Sequence, residues 1–192
     1  MGRPKQFDPH VVVEQAMQLF WSQGFNATTP QQLVDNLGVG KGSLYNTFGG
    51  KRELFNLTLR RYVDSQATAL AELLDRPEPV KERLRQALRI LAEMDLGDPG
   101  RRGCMAVNAT AEFGRTDESV AALLQGMLDH TESTFQILIE EGQSAGQITT
   151  ERDALPLASL LVTSLLGLRL MVRVEKDPDR LMRAIDAAID IL

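Results

Sequence analysis

Two short amphipathic segments joined by Gly38-Val39-Gly40 constrain this chain more than any other feature of its sequence. Thr29 followed by Pro30 is typical of a helix start, because threonine caps the first turn and proline fits the first helical position. Gly38 is typical of a helix stop in the left-handed conformation. Only two residues then precede a third helix, predicted from about Lys41 to Thr47. Two short helices joined by so tight a turn must cross steeply, which is the geometry of a helix-turn-helix.

A first helix before this pair also has clear ends. Asp8 precedes Pro9 and predicts a capped start, and Gly24 predicts the end of the helix. The apolar residues between them recur at helical spacing and form one stripe: Val12, Ala16, Leu19 and Phe20. The sequence therefore predicts three short helices that bury a common core.

The third helix is predicted to bury Leu44 and Phe48 against the other two. Its remaining side chains form an outward face with no acidic residue: Lys41, Gly42, Ser43, Tyr45, Asn46 and Thr47. The carboxamide of Asn46 has the donor and the acceptor that a bidentate contact to adenine in the major groove requires. We therefore predict that this face reads DNA.

Three motifs occur together within residues 7–62: Gly24-Phe25-x-x-Thr28-Thr29, Gly38-Val39-x-Lys41-Gly42-Ser43-Leu44-Tyr45-x-x-Phe48 and Lys51-x-x-Leu54. In this combination they resemble the N-terminal domain of TetR-family transcriptional regulators. The resemblance implies that Lys41, Tyr45 and Lys51 bind phosphates or base edges. It also implies that Thr29 offers its hydroxyl and the neighbouring helix amides to a phosphate. The family usually has serine where Gly40 stands, so weaker capping of the third helix is expected.

The charges divide unevenly along the chain. Residues 1–62 hold seven basic and four acidic side chains, and the remaining residues hold 14 basic and 22 acidic ones. A basic head on an acidic body suits a protein that presents its N-terminal part to DNA. Arg3 and Lys5 form a short basic arm before the first helix, which is expected either to reach an adjacent groove or to remain a solvated tail.

Six further helices are predicted after Gly50, which makes the chain all-α with about nine helices. The fourth begins near Lys51 and runs to about Asp75. The others are predicted at about 80–96, 104–113, 117–145, 153–175 and 178–192. We predict two domains, a helix-turn-helix DNA-binding domain over 1–50 and a helical effector-binding and dimerisation domain over 51–192.

The body helices contain adaptable apolar side chains and a few polar ones, which suit a ligand cavity. The predicted pocket consists of Met94, Cys104, Met105, Asn108, Glu112, Phe113, Met127 and Phe135. Each of these residues also suits plain core packing. Cys104 follows Arg101-Arg102-Gly103 at a helix start, where cations and amide dipoles favour a thiolate. It is therefore either a reactive sensor thiol, as in one branch of the family that this segment resembles, or a small buried hydrophobe.

The last two predicted helices carry more apolar surface than the end of a monomer needs. The residues concerned are Ala158, Leu161, Leu165, Leu168, Leu181, Ile185 and Ala188. In the TetR family such helices pair with those of a second copy as a four-helix bundle. The resemblance therefore implies a homodimer through these residues, and the alternative is packing within one chain alone.

The sequence offers little chemistry for catalysis, and we predict no enzyme, no metal and no cofactor. His10 and His130 are the only histidines, and the chain lacks His-Glu-x-x-His, Gly-x-Ser-x-Gly and paired cysteines. The longest apolar run, Leu155 to Leu168, is expected to be too short to span a bilayer. With one cysteine and no signal-peptide pattern, we expect a cytoplasmic protein without a membrane partner.

The resemblance implies a one-component transcriptional regulator, most often a repressor in this family. Such a protein binds a pseudo-palindromic operator in double-stranded DNA as a dimer. Release is expected from a small-molecule effector, whose identity the sequence does not reveal, or from modification of the thiol. The alternative is a DNA-binding protein that is independent of ligand or that requires a corepressor.

Overall fold

The computed structural model describes residues 7–114 and 116–192, and within these ranges the chain forms nine α-helices and no β-strand. The helices are α1 (Pro9–Gln23), α2 (Pro30–Leu37), α3 (Lys41–Phe48), α4 (Lys51–Leu74), α5 (Val80–Gly97), α6 (Met105–Phe113), α7 (Glu118–Ser144), α8 (Ala154–Met171) and α9 (Pro178–Asp190). The predicted all-α fold is confirmed. Arg3 and Lys5, the predicted basic arm, lie outside the described residues.

The ends of the first helices follow from local side-chain chemistry. The Asp8 carboxylate accepts a hydrogen bond from the backbone amide of His10 at 2.8 Å and caps α1. Thr29 Oγ1 accepts from the Gln32 amide at 3.2 Å, and Gln32 Oε1 accepts from the Thr29 amide at 2.7 Å, which is a capping box. Gly38 ends α2 with a φ of 62°, a conformation that glycine adopts without steric cost. The predicted caps and the predicted stop are confirmed.

The end of α8 differs from the prediction. The helix ends at Met171 rather than near Glu175. The Glu175 carboxylate accepts hydrogen bonds from the backbone amides of Lys176 and Asp177, each at 2.9 Å. These bonds hold a turn that leads directly to Pro178, the first residue of α9. A side chain that bonds to the backbone in this way competes with helix continuation.

Two clusters of buried side chains form the core. The first joins α1, α2 and α3 with the N-terminal half of α4, with α6 and with the start of α7. The second joins the C-terminal half of α4 with α5, α7, α8 and α9. α4 runs through both, with Leu54 buried in the first cluster and Leu70 in the second. α6 packs with the N-terminal helices although it follows residue 50. The predicted domain boundary between residues 50 and 51 stays a prediction.

α8 is an 18-residue helix whose length and composition would suffice to cross a membrane. It is longer than the apolar run in the sequence, because it begins at Ala154 and continues through Arg169 to Met171. In the fold, α8 packs against α7 and α9, and Arg169 forms a buried ion pair with Asp95 on α5. α8 therefore acts as a core helix with one exposed face.

Candidate nucleic-acid interface and effector cavity

α3 presents a polar face to solvent. Leu44 and Phe48 are buried, which confirms the predicted anchoring of the helix. Gly40 stands at its N-terminus without a side-chain capping bond. The predicted DNA-reading residues divide into the exposed Lys41, Gly42, Ser43 and Asn46 and the half-buried Tyr45 and Thr47. The exposed part of α3 therefore offers ammonium, hydroxyl and carboxamide groups and no carboxylate.

Thr29 stands at the exposed N-terminus of α2. Its hydroxyl oxygen accepts a hydrogen bond from the Gln32 amide, so the hydroxyl proton can still be donated to an anion. The start of the helix adds a partial positive charge from its unpaired amides. This end of α2 has the chemistry of a phosphate ligand.

Lys51 begins α4 and packs against the ring of Phe25. Its Nζ lies 4.0 Å from the ring centroid, and the guanidinium carbon of Arg52 lies 4.4 Å from the same centroid. Burial lowers the pKa of Lys51, an effect that Glu112 opposes and Arg52 reinforces. Lys51, a predicted phosphate ligand, is thus half-buried against an aromatic ring in this structure.

A cavity of about 760 Å³ lies between α4, α7 and α8. Its walls are mostly apolar, and its floor includes the buried side chains of Cys104 and Arg169. Exposed polar residues form its rim: Arg60, Asp64, Ser119 and His130. An apolar cavity with a few polar groups at its ends is typical of a small-molecule site.

The Arg169 guanidinium organises the polar floor of this cavity. Its Nε and Nη2 donate to the Asp95 carboxylate at 2.7 and 3.0 Å. Nη1 donates to Gln66 Oε1 at 2.7 Å, and Nη2 also donates to the Tyr62 hydroxyl at 3.3 Å. Burial alone would lower the pKa of Arg169, but the bonds to Asp95 and the neighbouring groups raise it above its ordinary value. Burial and the adjacent Cys104 raise the pKa of Tyr62 well above its usual range, so both groups stay protonated at neutral pH.

Both the N-terminal and the C-terminal part of the chain match known protein families. Residues 12–58 match bacterial regulatory proteins of the tetR family, and residues 94–188 match the tetracyclin repressor-like C-terminal domain. The chain is 31% identical over 194 residues to YezE of Bacillus subtilis (strain 168), an uncharacterized HTH-type transcriptional regulator, and the alignment covers the full length of both chains. The chain belongs to the TetR family.

Further members of the TetR family resemble the chain along most of its length. The HTH-type transcriptional repressor ComR of Escherichia coli (strain K12) is 28% identical, with 95% of this chain and 87% of ComR covered. A cysteine mutant of CifR, solved in complex with 26-bp operator DNA, is 25% identical and superposes with a TM-score of 0.86 over 98% of both chains. The predicted resemblance is confirmed, and this TetR-family chain is a helix-turn-helix DNA-binding transcriptional regulator.

The cavity of this TetR-family chain contains two of the eight predicted pocket residues, Cys104 and Met127. Gln66 and Arg169 were not predicted from the sequence; they meet in the cavity from α4 and α8 although they are 103 residues apart. A signal for Arg169 was present in the sequence, since it is the charged residue that ends the longest apolar run. A charge that breaks such a run is often buried with a partner.

The other six predicted pocket residues lie elsewhere. Met94 is 63% exposed on α5, Phe135 is fully buried in the second core, and Phe113 packs against the ring of Phe55. The remaining three line a smaller polar groove between α1 and α6: Met105, Asn108 and Glu112. The reason is that only the N-terminal end of α6 reaches the cavity, while its later turns face the helix-turn-helix.

The seven residues assigned to the dimer interface all lie inside the protomer. They are the buried residues Ala158, Leu161, Leu165, Leu168, Leu181, Ile185 and Ala188 of the second core. α8 is apolar on its opposite side as well, where Leu160, Leu170 and Met171 are exposed. Residues already buried within one chain cannot supply new surface to a partner, so any contact through α8 must use this opposite face.

Proposed function

We propose that this protein is a cytoplasmic, homodimeric repressor that binds a pseudo-palindromic operator through α3. The proposal rests on one observation above all, the exposed and carboxylate-free face of α3, held in place by Leu44 and Phe48 in a TetR-family chain. That relatives such as ComR are named repressors supports this sign of regulation.

Each predicted DNA contact has a chemical role in this proposal. Asn46 is suited to adenine, and Lys41 and Tyr45 are suited to phosphates or base edges. Thr29 binds a phosphate at the start of α2, while Lys51 leaves the Phe25 ring to bind another. The remaining candidates are Gly42, Ser43 and Thr47 on α3 and the flanking Arg3 and Lys5.

Two α3 helices in a dimer would enter successive major grooves about 34–36 Å apart. If the dimer makes ~6–8 phosphate contacts, the logarithm of the association constant should fall with the logarithm of salt concentration at a slope of about -5 to -7.

Selection of bound duplexes from a random library tests this function directly. The proposal predicts enrichment of one inverted repeat, with half-site centres about one helical turn apart. Recovery of duplexes without a common sequence, at an affinity equal to that for random DNA, would reject a specific operator.

The proposed dimer uses the exposed face of α8. Leu160, Thr163, Gly167 and Leu170 recur at helical spacing and are all exposed. A small residue such as Gly167 within the stripe permits close approach of a second helix. Exposed apolar surface in a continuous stripe is typical of a protein interface.

The cavity favours an uncharged effector. Asp95 already neutralises Arg169, and within the described residues one of the two N–H groups of Nη1 lacks a hydrogen-bond acceptor. At the floor of the cavity, a ligand carboxylate would add an unpaired negative charge among apolar walls, which is costly. A neutral apolar molecule with one hydrogen-bond acceptor meets no such penalty. Thermal shifts with matched pairs of esters and carboxylates test this, and a larger stabilisation by the carboxylates would contradict it.

Thiol modification is the second proposed route to release. Cys104 lies on the cavity floor, so an adduct on its sulfur would occupy the same space as a ligand. Cys104→Ser should abolish any loss of operator binding caused by a thiol reagent. An unchanged dose response in this variant would show that Cys104 is a buried packing residue and not the site of modification. If neither a compound panel nor a thiol reagent alters operator binding, the result favours the alternative of a DNA-binding protein that is independent of ligand or requires a corepressor.

A further inference from the structure

α6 contacts the helix-turn-helix at both of its ends. Just before its N-terminal end, the Gly103 carbonyl accepts a hydrogen bond from Trp21 Nε1 on α1 at 2.8 Å. At the C-terminal end, Glu112 Oε2 accepts from the Phe25 amide at 2.9 Å, and Glu112 Oε1 accepts from the Asn26 amide at 2.5 Å. One carboxylate thus binds two consecutive backbone amides in the turn between α1 and α2.

We propose that Glu112 is a positioning residue for DNA binding. Its carboxylate holds the α1–α2 turn against α6 and so orients the helix-turn-helix on the body. This inference rests on the proposed operator binding, because orientation of the head affects a dimer only when two half-sites must be met together.

The absence of a side chain at Gly24 leaves space in the turn for this carboxylate. Gly24 has a φ of 82°, and a Cβ at this position would lie 3.1 Å from Glu112 Oε2. Thr28, which is fully buried, donates its hydroxyl to the Gly24 carbonyl at 2.6 Å and closes the turn. The next residue is Thr29, the cap of α2 and the predicted phosphate ligand. The carboxylate is therefore one turn away from the DNA-facing end of α2.

The same turn is fixed on its apolar side by aromatic packing. The Phe25 ring lies 5.2 Å from both the Phe55 and the Phe113 ring centroids. Phe113 follows Glu112 directly, so consecutive residues of α6 hold the Phe25 backbone and the Phe25 ring. The turn has little room to move unless α6 moves with it.

The other end of α6 lies at the effector cavity. Cys104 is the N-terminal cap of α6 and part of the cavity floor. Glu112 follows Cys104 by eight residues, a length of roughly 12 Å along the helix at 1.5 Å per residue. α6 therefore reaches from the cavity floor to the α1–α2 turn that the Glu112 carboxylate holds.

Two explanations for a Glu112 effect predict opposite signs. The negative charge of Glu112 opposes the lowering of the pKa of Lys51 by burial, and Lys51 is a predicted phosphate ligand. If the carboxylate acted only through its charge, its removal would strengthen binding to every DNA. If it positions the head, its removal weakens binding to the operator and leaves binding to random DNA unchanged, because non-specific binding does not require two aligned half-sites.

The experiment compares the full-length protein with Glu112→Gln and with the control Glu140→Gln. Glu140 is exposed on α7 and accepts a hydrogen bond from Gln136 on the same helix, so the control removes an equal charge from the body. For each protein, dissociation constants are measured for the selected operator and for a random duplex. Amide hydrogen exchange at residues 25 and 26 is followed in parallel.

We expect Glu112→Gln to bind the operator about tenfold more weakly, since hydrogen bonds to a charged group change equilibria by about that factor. Its affinity for random DNA should match that of the control, and amides 25 and 26 should exchange faster. An operator affinity equal to or tighter than that of the wild type would overturn the inference, as would an equal loss on both duplexes.

Amide exchange keeps the inference separate from the proposed function. If the wild type fails to distinguish operator from random DNA, the proposed function fails, whatever Glu112 does. If the wild-type amides of residues 25 and 26 exchange as fast as exposed amides, the carboxylate does not hold the turn and the inference fails by itself.

Discussion

Arg169 and Asp95 form a two-point ion pair beneath the cavity, with Nε–Oδ2 and Nη2–Oδ1 distances of 2.7 and 3.0 Å. Their side chains are only 9% and 7% exposed. A buried charge without its partner is strongly destabilising, so each of these residues requires the other.

Asp95→Asn should therefore destabilise the protein by about 3–5 kcal/mol, because it leaves Arg169 charged and unpaired inside the fold. Chemical denaturation measures this free energy. The matched control is Glu14→Gln, which breaks the solvent-exposed pair with Arg61 and should cost about 0–1 kcal/mol. Equal effects of the two substitutions would show that the buried pair is not essential to the fold.

Asp186 on α9 gives the protein a predicted acid sensitivity. Hydrogen bonds from Arg85, aided by Arg89, hold the pKa of Asp186 below its ordinary value. As the pH falls, the unfolded chain takes up this proton first, so the contribution of Asp186 to stability is complete above about pH 4 and is lost at lower pH. Asp186→Asn should lower the melting temperature at pH 7, and its difference from the wild type should shrink towards pH 3. A difference that stays constant over this range would contradict the assignment.

Cys104 is the chain's one cysteine, so labelling reports on the cavity floor alone. Its side chain is 2% exposed, and a reagent must pass apolar walls to reach it. We expect an uncharged maleimide to label the folded protein faster than a sulfonated maleimide of similar size. Mass spectrometry measures both rates, and denatured protein serves as the reference in which the two rates converge. Equal rates on folded protein would mean that the cavity does not discriminate by charge.

The exposed face of α8 should control association. Leu160→Glu places a charge in the centre of the proposed interface and should convert a dimer to a monomer at micromolar concentration. Met94→Glu, an equivalent change at a 63% exposed residue on α5, should leave the dimer intact. Sedimentation velocity distinguishes the two states. A wild type that sediments as a monomer, or a dimeric Leu160→Glu variant, would argue against this interface.

The ends of α1, α2 and α3 could be predicted from the sequence because their signals are local. Asp8, Thr29 and Gly38 act on residues within one turn of themselves. The anchoring of α3 by Leu44 and Phe48 was equally clear from helical spacing. The predicted DNA-reading residues could therefore be assigned to the side of α3 that faces away from the core.

The contacts of the helices after α4 were harder to predict, because they depend on residues that are far apart in the sequence. α8 is apolar on both sides, so helical spacing alone could not decide that Leu161 faces the core and Leu160 faces solvent. Glu112 appeared to be a polar pocket residue, but its partners are backbone amides 86 and 87 residues earlier in the chain. Every residue except proline has a backbone amide donor, so the sequence does not indicate which amides Glu112 binds. The packing of α6 against the α1–α2 turn determines this contact.

Binding of the operator by the exposed face of α3 can be measured with a Lys41→Ala/Tyr45→Ala double variant, as the dissociation constant on the selected operator. The control is Lys176→Ala, which removes an exposed positive charge beyond the end of α8. We expect at least a roughly 100-fold loss for the double variant, since each good contact contributes about 1–3 kcal/mol. Lys176→Ala should bind normally, and all proteins should keep the same melting temperature and association state. A folded double variant that binds the operator as tightly as the wild type would show that α3 does not bind the operator through this face.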